Sequence, residues 1–125
     1  MHLDSIRLTN FKNIASAEVS CCPKINCITG DNGTGKTSLL DAIHYLSMTK
    51  SYFNSSDLHA YRYGESVTSI VGTYINNDGT SEHITVSLKK GEEKQVRRGQ
   101  KAYKKFSEHI GLIPIVMTSS YDISL

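Results

Sequence analysis

Eight residues near the N-terminus, GDNGTGKT from Gly30 to Thr37, carry the clearest chemical purpose in this sequence. Gly30, then Asp31, Asn32, Gly33 and Thr34, then Gly35, Lys36 and Thr37 satisfy the pattern G-x-x-x-x-G-K-[ST] in full. The glycines at Gly30, Gly33 and Gly35 let the backbone curl with its N–H groups pointing inward, a nest for phosphate oxygens. A helix opening near Gly35 adds unpaired amides and the positive end of its dipole to the same spot. Lys36 would then reach the β- and γ-phosphates of a nucleotide, the Thr37 hydroxyl would ligate Mg²⁺, and Ser38 follows within the same turn. A plain hairpin turn at Asn32-Gly33 is the alternative. It accounts for two residues and leaves Gly30, Lys36 and Thr37 as coincidences.

Such a loop works only between a buried strand and a helix. INCITG upstream reads as that strand, ending at Gly30, and KTSLLDAIHYLSM downstream is the most helical segment of the chain. Leu39, Ile43 and Leu46 recur at helical spacing, with Leu40 and Ala42 widening the apolar stripe. LDSIRLTNF alternates as a half-buried strand, SAEVSC is its expected partner, and FKNI is the turn between them. After an irregular connection over 50–64, SVTSIVGTYIN, SEHITVSLKK and EKQVRRG read as three strands of a meander, separated by turn signals. KAYKKFSEHIG is expected to form a short helix stopped by Gly111, and LIPIVMTSS a last buried strand.

With 125 residues, 38% of them hydrophobic and 21% charged, the chain reads as one soluble globular domain rather than a disordered segment. It opens with neither a secretory leader nor an apolar run of membrane length, so no membrane is expected. The cysteines Cys21, Cys22 and Cys27 are odd in number and lack a fourth ligand nearby, which favours reduced thiols in a cytoplasmic protein over zinc. Charge is unevenly spread. Between Lys89 and Lys105 stand Lys89, Lys90, Lys94, Arg97, Arg98, Lys101, Lys104 and Lys105 against Glu92 and Glu93, although the whole chain carries only +2. A segment like this suits a nucleic-acid backbone, or equally a solvated hairpin whose lysines keep an edge strand soluble.

LTNFKN around Lys12, GDNGTGKTSLLDAIHYLS across the loop, KSYFN after the helix and HIGLIPIVMTSSYD near the end occur in one order. That order resembles the N-terminal part of the RecF family of bacterial DNA-recombination and replication-repair ATPases, over essentially the whole chain. The loop itself is shared with other ABC-type heads that act on DNA, including the structural-maintenance-of-chromosomes and Rad50 proteins. The resemblance implies an α/β fold, that of a P-loop NTPase. Residues 1–125 would be the N-terminal lobe of an ABC-type ATPase head, a partial domain with an antiparallel β-subdomain. It implies ATP and Mg²⁺ as cofactors, with Gly30 to Ser38 at the nucleotide. It also implies an ATP-dependent homodimer on single-stranded and gapped duplex DNA, partners RecO and RecR, and recombinase loading in cytoplasmic repair and the SOS response. Lys12 falls where such heads often place a basic residue near the nucleotide, although a surface lysine at a strand end would look the same.

The chain also departs from that family. Lys12 and Phe53 stand where arginine is usual, and Ser119, Ser120, Tyr121 and Asp122 replace the family's SPED. No apolar run ends in the paired acids of a Walker B motif, so no catalytic residue is assigned, and the sequence reads as part of a longer protein. Two other functions fit the loop: the head of another ABC-type machine, chromosome-organising or Rad50-like, and a non-catalytic interaction module whose phosphate loop is vestigial.

Overall fold

The computed structural model describes residues 1–22, 36–113 and 115. Strands β1 (His2–Phe11), β2 (Ile14–Ser20), β3 (Val67–Ile75), β4 (Ser81–Lys89), β5 (Gln95–Arg98) and β6 (Lys101–Ala102) form one antiparallel sheet in the order β2-β1-β3-β4-β5-β6. One helix, α1 (Lys36–Met48), packs on it, and short 3-10 turns occupy Asp57–Ala60 and Phe106–Glu108.

The strands alternate as the sequence requires. Ile6 and Leu8 of β1, Ile70 and Tyr74 of β3, Ile84, Val86 and Leu88 of β4 and Val96 of β5 are buried on one face. Their neighbours on the other face are small and polar: Thr9 pairs with Ser16 and Ser69, and Ser69 with Ser87. Such one-sided burial is the ordinary condition of an antiparallel sheet. Ala42, Tyr45 and Leu46 of α1 close the core, and Phe11 meets Tyr45 edge-on at 5.8 Å between ring centres.

The helix comes close to the sheet because β3 offers a gap. Gly72 stands between Ile6 and Ile84 on the core face. A Cβ built on Gly72 would lie 2.5 Å from Leu46 Cδ1, so the missing side chain is the socket that Leu46 fills.

Two expectations change. The helix expected over 101–111 is instead a two-residue strand and a 3-10 turn. Gly99, at φ 62°, turns the chain so that Lys101 and Ala102 pair back with Arg98 and Arg97. The apolar stripe of α1 is also rotated from its expected line: Leu40 is 41% exposed, while Tyr45 is fully buried. The strands expected over 25–30 and 114–120 lie almost wholly outside the described residues, and Leu112 and Ile113 form a bend.

Overfilling the Gly72 socket should be costly. Gly72→Val is expected to lower stability by about 1–3 kcal/mol. Combining it with Leu46→Ala should cost less than the sum of the two changes, read by urea denaturation.

Candidate nucleotide-phosphate site

Lys36 and Thr37 lie in α1 (Lys36–Met48), on the helical side of the motif as the phosphate-loop pattern demands. Gly30, Asp31, Asn32, Gly33, Thr34 and Gly35 lie outside the described residues, as does the side chain of Lys36. Thr37 is exposed in the first turn, open to solvent and to any ion bound there. Ser38 is 8% exposed, and its hydroxyl donates to Asn13 Oδ1 at 2.8 Å. That bond ties the β1–β2 turn to the first turn of the helix.

The same turn delivers Lys12. Phe11 pairs with Ile14 across a two-residue turn of Lys12 and Asn13, and Lys12 has φ 53°. Left-handed backbone is uncommon outside glycine and stores strain. It is held by Lys12 N donating to the Ala60 carbonyl at 2.8 Å, and by Arg62 N donating to the Asn10 carbonyl at 3.0 Å. The Lys12 ammonium sits 2.7 Å from Asp41 Oδ2, between the rings of Phe11 (5.7 Å) and Phe53 (5.6 Å).

Asp41 is the node of the site. Its side chain has no exposure, yet it lies in the second turn of a helix whose neighbours are mostly apolar. Besides Lys12 it accepts from Ser51 Oγ at 2.6 Å and from the Tyr52 backbone N–H at 2.7 Å. Ser51 in turn receives the N–H groups of Phe53 and Asn54, both at 3.1 Å. One carboxylate therefore joins α1, the β1–β2 turn and the segment KSYFN. The sequence reading missed Asp41; a charged residue one position before Ala42 in an apolar helix was its only signal.

A second, partly exposed carboxylate explains part of the basic cluster. Asp57 accepts from Tyr45 Oη at 2.7 Å and from Lys94 Nζ at 2.8 Å. Burial and the Asp57 carboxylate push the Tyr45 phenol well above its ordinary range, so it remains a donor. Lys94 also lies 5.5 Å from the Phe106 ring, and its side chain is only 15% exposed. Arg98 is bound to Glu82, and the Lys90 ammonium stands 5.2 Å from the ring of Tyr61. Lys89, Arg97, Lys101, Lys104 and Lys105 are exposed; Lys89 is 4.0 Å from Glu92, and Arg97 reaches Gln95 Oε1 at 3.4 Å. The eight cations are thus not one free surface, because Lys94 is tied to Asp57 beside the rings of Tyr45 and Phe106.

The far end of α1 is closed by polar contacts. The fully buried His109 donates through Nε2 to the Leu46 carbonyl at 2.7 Å, and His44 donates through Nδ1 to the Lys50 carbonyl at 2.7 Å. No helix among the described residues is long and apolar enough to cross a membrane.

A family model described as an AAA domain matches residues 5–122. The chain belongs to the AAA domain family. The DNA replication and repair protein RecF of Flavobacterium johnsoniae is 46% identical over 125 residues, 100% of this chain and 34% of that one. RecF of Porphyromonas gingivalis is 38% identical over the same share of both chains. The solved structure of the recombination mediator protein RecF with ATP superimposes with a TM-score of 0.90 at 28% identity, covering 98% of this chain and 34% of that chain. The SMC head domain from Thermotoga maritima superimposes with a TM-score of 0.64 at 18% identity, over 83% of this chain and 39% of that one. The resemblance to RecF is borne out, and the fold is that of P-loop ATPase heads of the ABC type. The chain spans about a third of the length of the RecF relatives it matches.

The two classes of lysine should separate in a stability measurement. Lys94→Ala leaves Asp57 and Tyr45 without their cation and is expected to cost about 1–3 kcal/mol. Lys101→Ala and Lys104→Ala, on exposed positions, should stay within about 0.5 kcal/mol of the parent protein by chemical denaturation.

Proposed function

We propose that this chain is the nucleotide-binding lobe of a RecF-like DNA replication and repair ATPase. ATP would be bound by the loop Gly30–Gly35, with Lys36 on the β- and γ-phosphates and Mg²⁺ on the Thr37 hydroxyl. One observation carries this reading: Lys36 and Thr37 lie in α1, and the β1–β2 turn brings Lys12 and Asn13 to the first turns of that helix. An anion placed there meets free helix amides and at least one further cation. A vestigial loop would have no reason to keep Lys36 and Thr37 together at a helix start.

DNA is the proposed macromolecular partner, reached through the exposed cations Lys89, Arg97, Lys101, Lys104 and Lys105. Backbone contacts of this kind position the protein without reading sequence. ATP-dependent homodimerisation on DNA, hydrolysis that releases it, recombinase loading and contacts with RecO and RecR complete the proposal, on the resemblance to RecF alone. The SMC-like superposition is the basis for keeping a chromosome-organising head as a second reading of the same fold.

Three measurements test this. Lys36→Ala should abolish binding of a fluorescent ATP analogue while circular dichroism stays unchanged; parental affinity in the folded variant would remove the site assignment. Arg97→Glu with Lys101→Glu should weaken DNA binding and flatten its salt dependence by about one counterion per lost charge. The 125-residue chain alone should release no phosphate from ATP with Mg²⁺ and duplex DNA, because water and metal must also be held from a second side. Turnover that disappears on Lys36→Ala would show instead that the chain is a complete enzyme.

A further inference from the structure

We propose that Asp41 is a positioning residue, whose task is to hold the Lys12 ammonium beside the first two turns of α1 as a preset cation for a nucleoside polyphosphate. The inference rests on the phosphate reading above and assigns a function to a residue that reading does not use.

The argument starts from cost. An ion pair with one fully buried member contributes little net stability, since an apolar pair of similar shape does as well or better. Lys12 adds a second cost by taking a left-handed backbone at φ 53°. Both costs fall on one side chain. It is the side chain that the turn carries to the first turns of the helix, where Asn13 receives the Ser38 hydroxyl.

What the arrangement achieves is placement. A free lysine samples many rotamers and loses that freedom when it meets a ligand. Here the ammonium is held at 2.7 Å by a carboxylate that is itself immobilised by Ser51 and the Tyr52 N–H. The rings of Phe11 and Phe53 flank it, and 17% of the side chain remains exposed. An ammonium carries three donors. Its bond to Oδ2 uses one of them, so donors remain for an anion arriving at the helix start. Phe53 serves this purpose as a neutral wall; an arginine there would compete for Asp41.

The test is a double-mutant cycle in nucleotide affinity on the whole protein, using a fluorescent ATP analogue with Mg²⁺. Asp41→Asn keeps the size of the side chain and an acceptor for Ser51 or Tyr52, but removes the charge that fixes Lys12. It is expected to weaken binding about tenfold in the parent protein, the scale of losing one charged positioning contact. In a Lys12→Met background the same change should have no effect, because there is no ammonium left to place. Equal losses in both backgrounds would show a merely structural carboxylate, and no loss in the parent would show that Lys12 needs no holding; either overturns the proposal. Should Asp41→Asn fail to fold, Asp41→Glu, which keeps the charge but displaces it, is measured in the same two backgrounds and judged by the same outcomes. Lys36→Ala separates the two levels. Parental affinity in that variant removes the phosphate reading itself, whereas lost affinity there with a silent Asp41→Asn removes only the role of Asp41.

Discussion

A carboxylate with no solvent exposure must find its hydrogen bonds inside the protein, and much of this structure is arranged around Asp41 finding them. Its partners come from two stretches far apart in the chain: Lys12 from the β1–β2 turn, and Ser51 and Tyr52 from the segment after α1. Neither of these stretches is regular secondary structure, so neither has a ladder of its own to fix its place. The helix, seated in the Gly72 socket through Leu46, supplies the fixed point from which the carboxylate orders the rest. Asp57 repeats the device one layer away, drawing Tyr45 and Lys94 together beside the 3-10 turn that supports Lys12 through Ala60.

Much of the fold was legible because it depends on local pattern. The alternation of Ile70, Gly72 and Tyr74, and of Ile84, Val86 and Leu88, marks strands with one buried face wherever it occurs. That Lys36 and the residues after it are helical follows from the motif that precedes them. What failed was decided at a distance. KAYKKFSEHIG has helical spacing, but a turn at Gly99 gives Lys101 and Ala102 strand partners, and His109 is drawn inward to cap α1 through the Leu46 carbonyl. Tyr45 and Asp41 were not recognised as buried because their partners, Asp57 and Lys12, are separated from them by loops that no periodicity describes. Lys94 looked like its seven basic neighbours for the same reason.

The division between the two faces of the sheet has a functional side. The inner face is committed to α1, and through α1 to the turn that carries Lys12 and Asn13. The outer face carries serine and threonine hydroxyls from four strands, with Arg7 paired to Glu18 at 3.3 Å. Few side chains there could form a core, and Arg97, opposite Thr85 and Ala102, lies at its β5–β6 margin. The proposed nucleotide site and the exposed Arg97 thus belong to opposite faces of one sheet, joined by the strands that cross it.

The order of the strands also sets the order of assembly. β3, β4, β5 and β6 follow one another by short turns, so their pairing needs only local closure. β1 is different: Leu3 pairs with Tyr74 and Leu8 with Ile70, across a stretch that contains β2, the phosphate loop and all of α1. Closing so long a loop costs chain entropy before any contact repays it, and pairings of this kind form late. The meander can therefore collapse first and wait with β3 as an open edge, a surface prone to pairing with another chain. Arrival of β1 seals that edge and, in the same event, brings Lys12 to Asp41. Covering the β3 edge and bringing Lys12 to Asp41 are thus tied to the same strand.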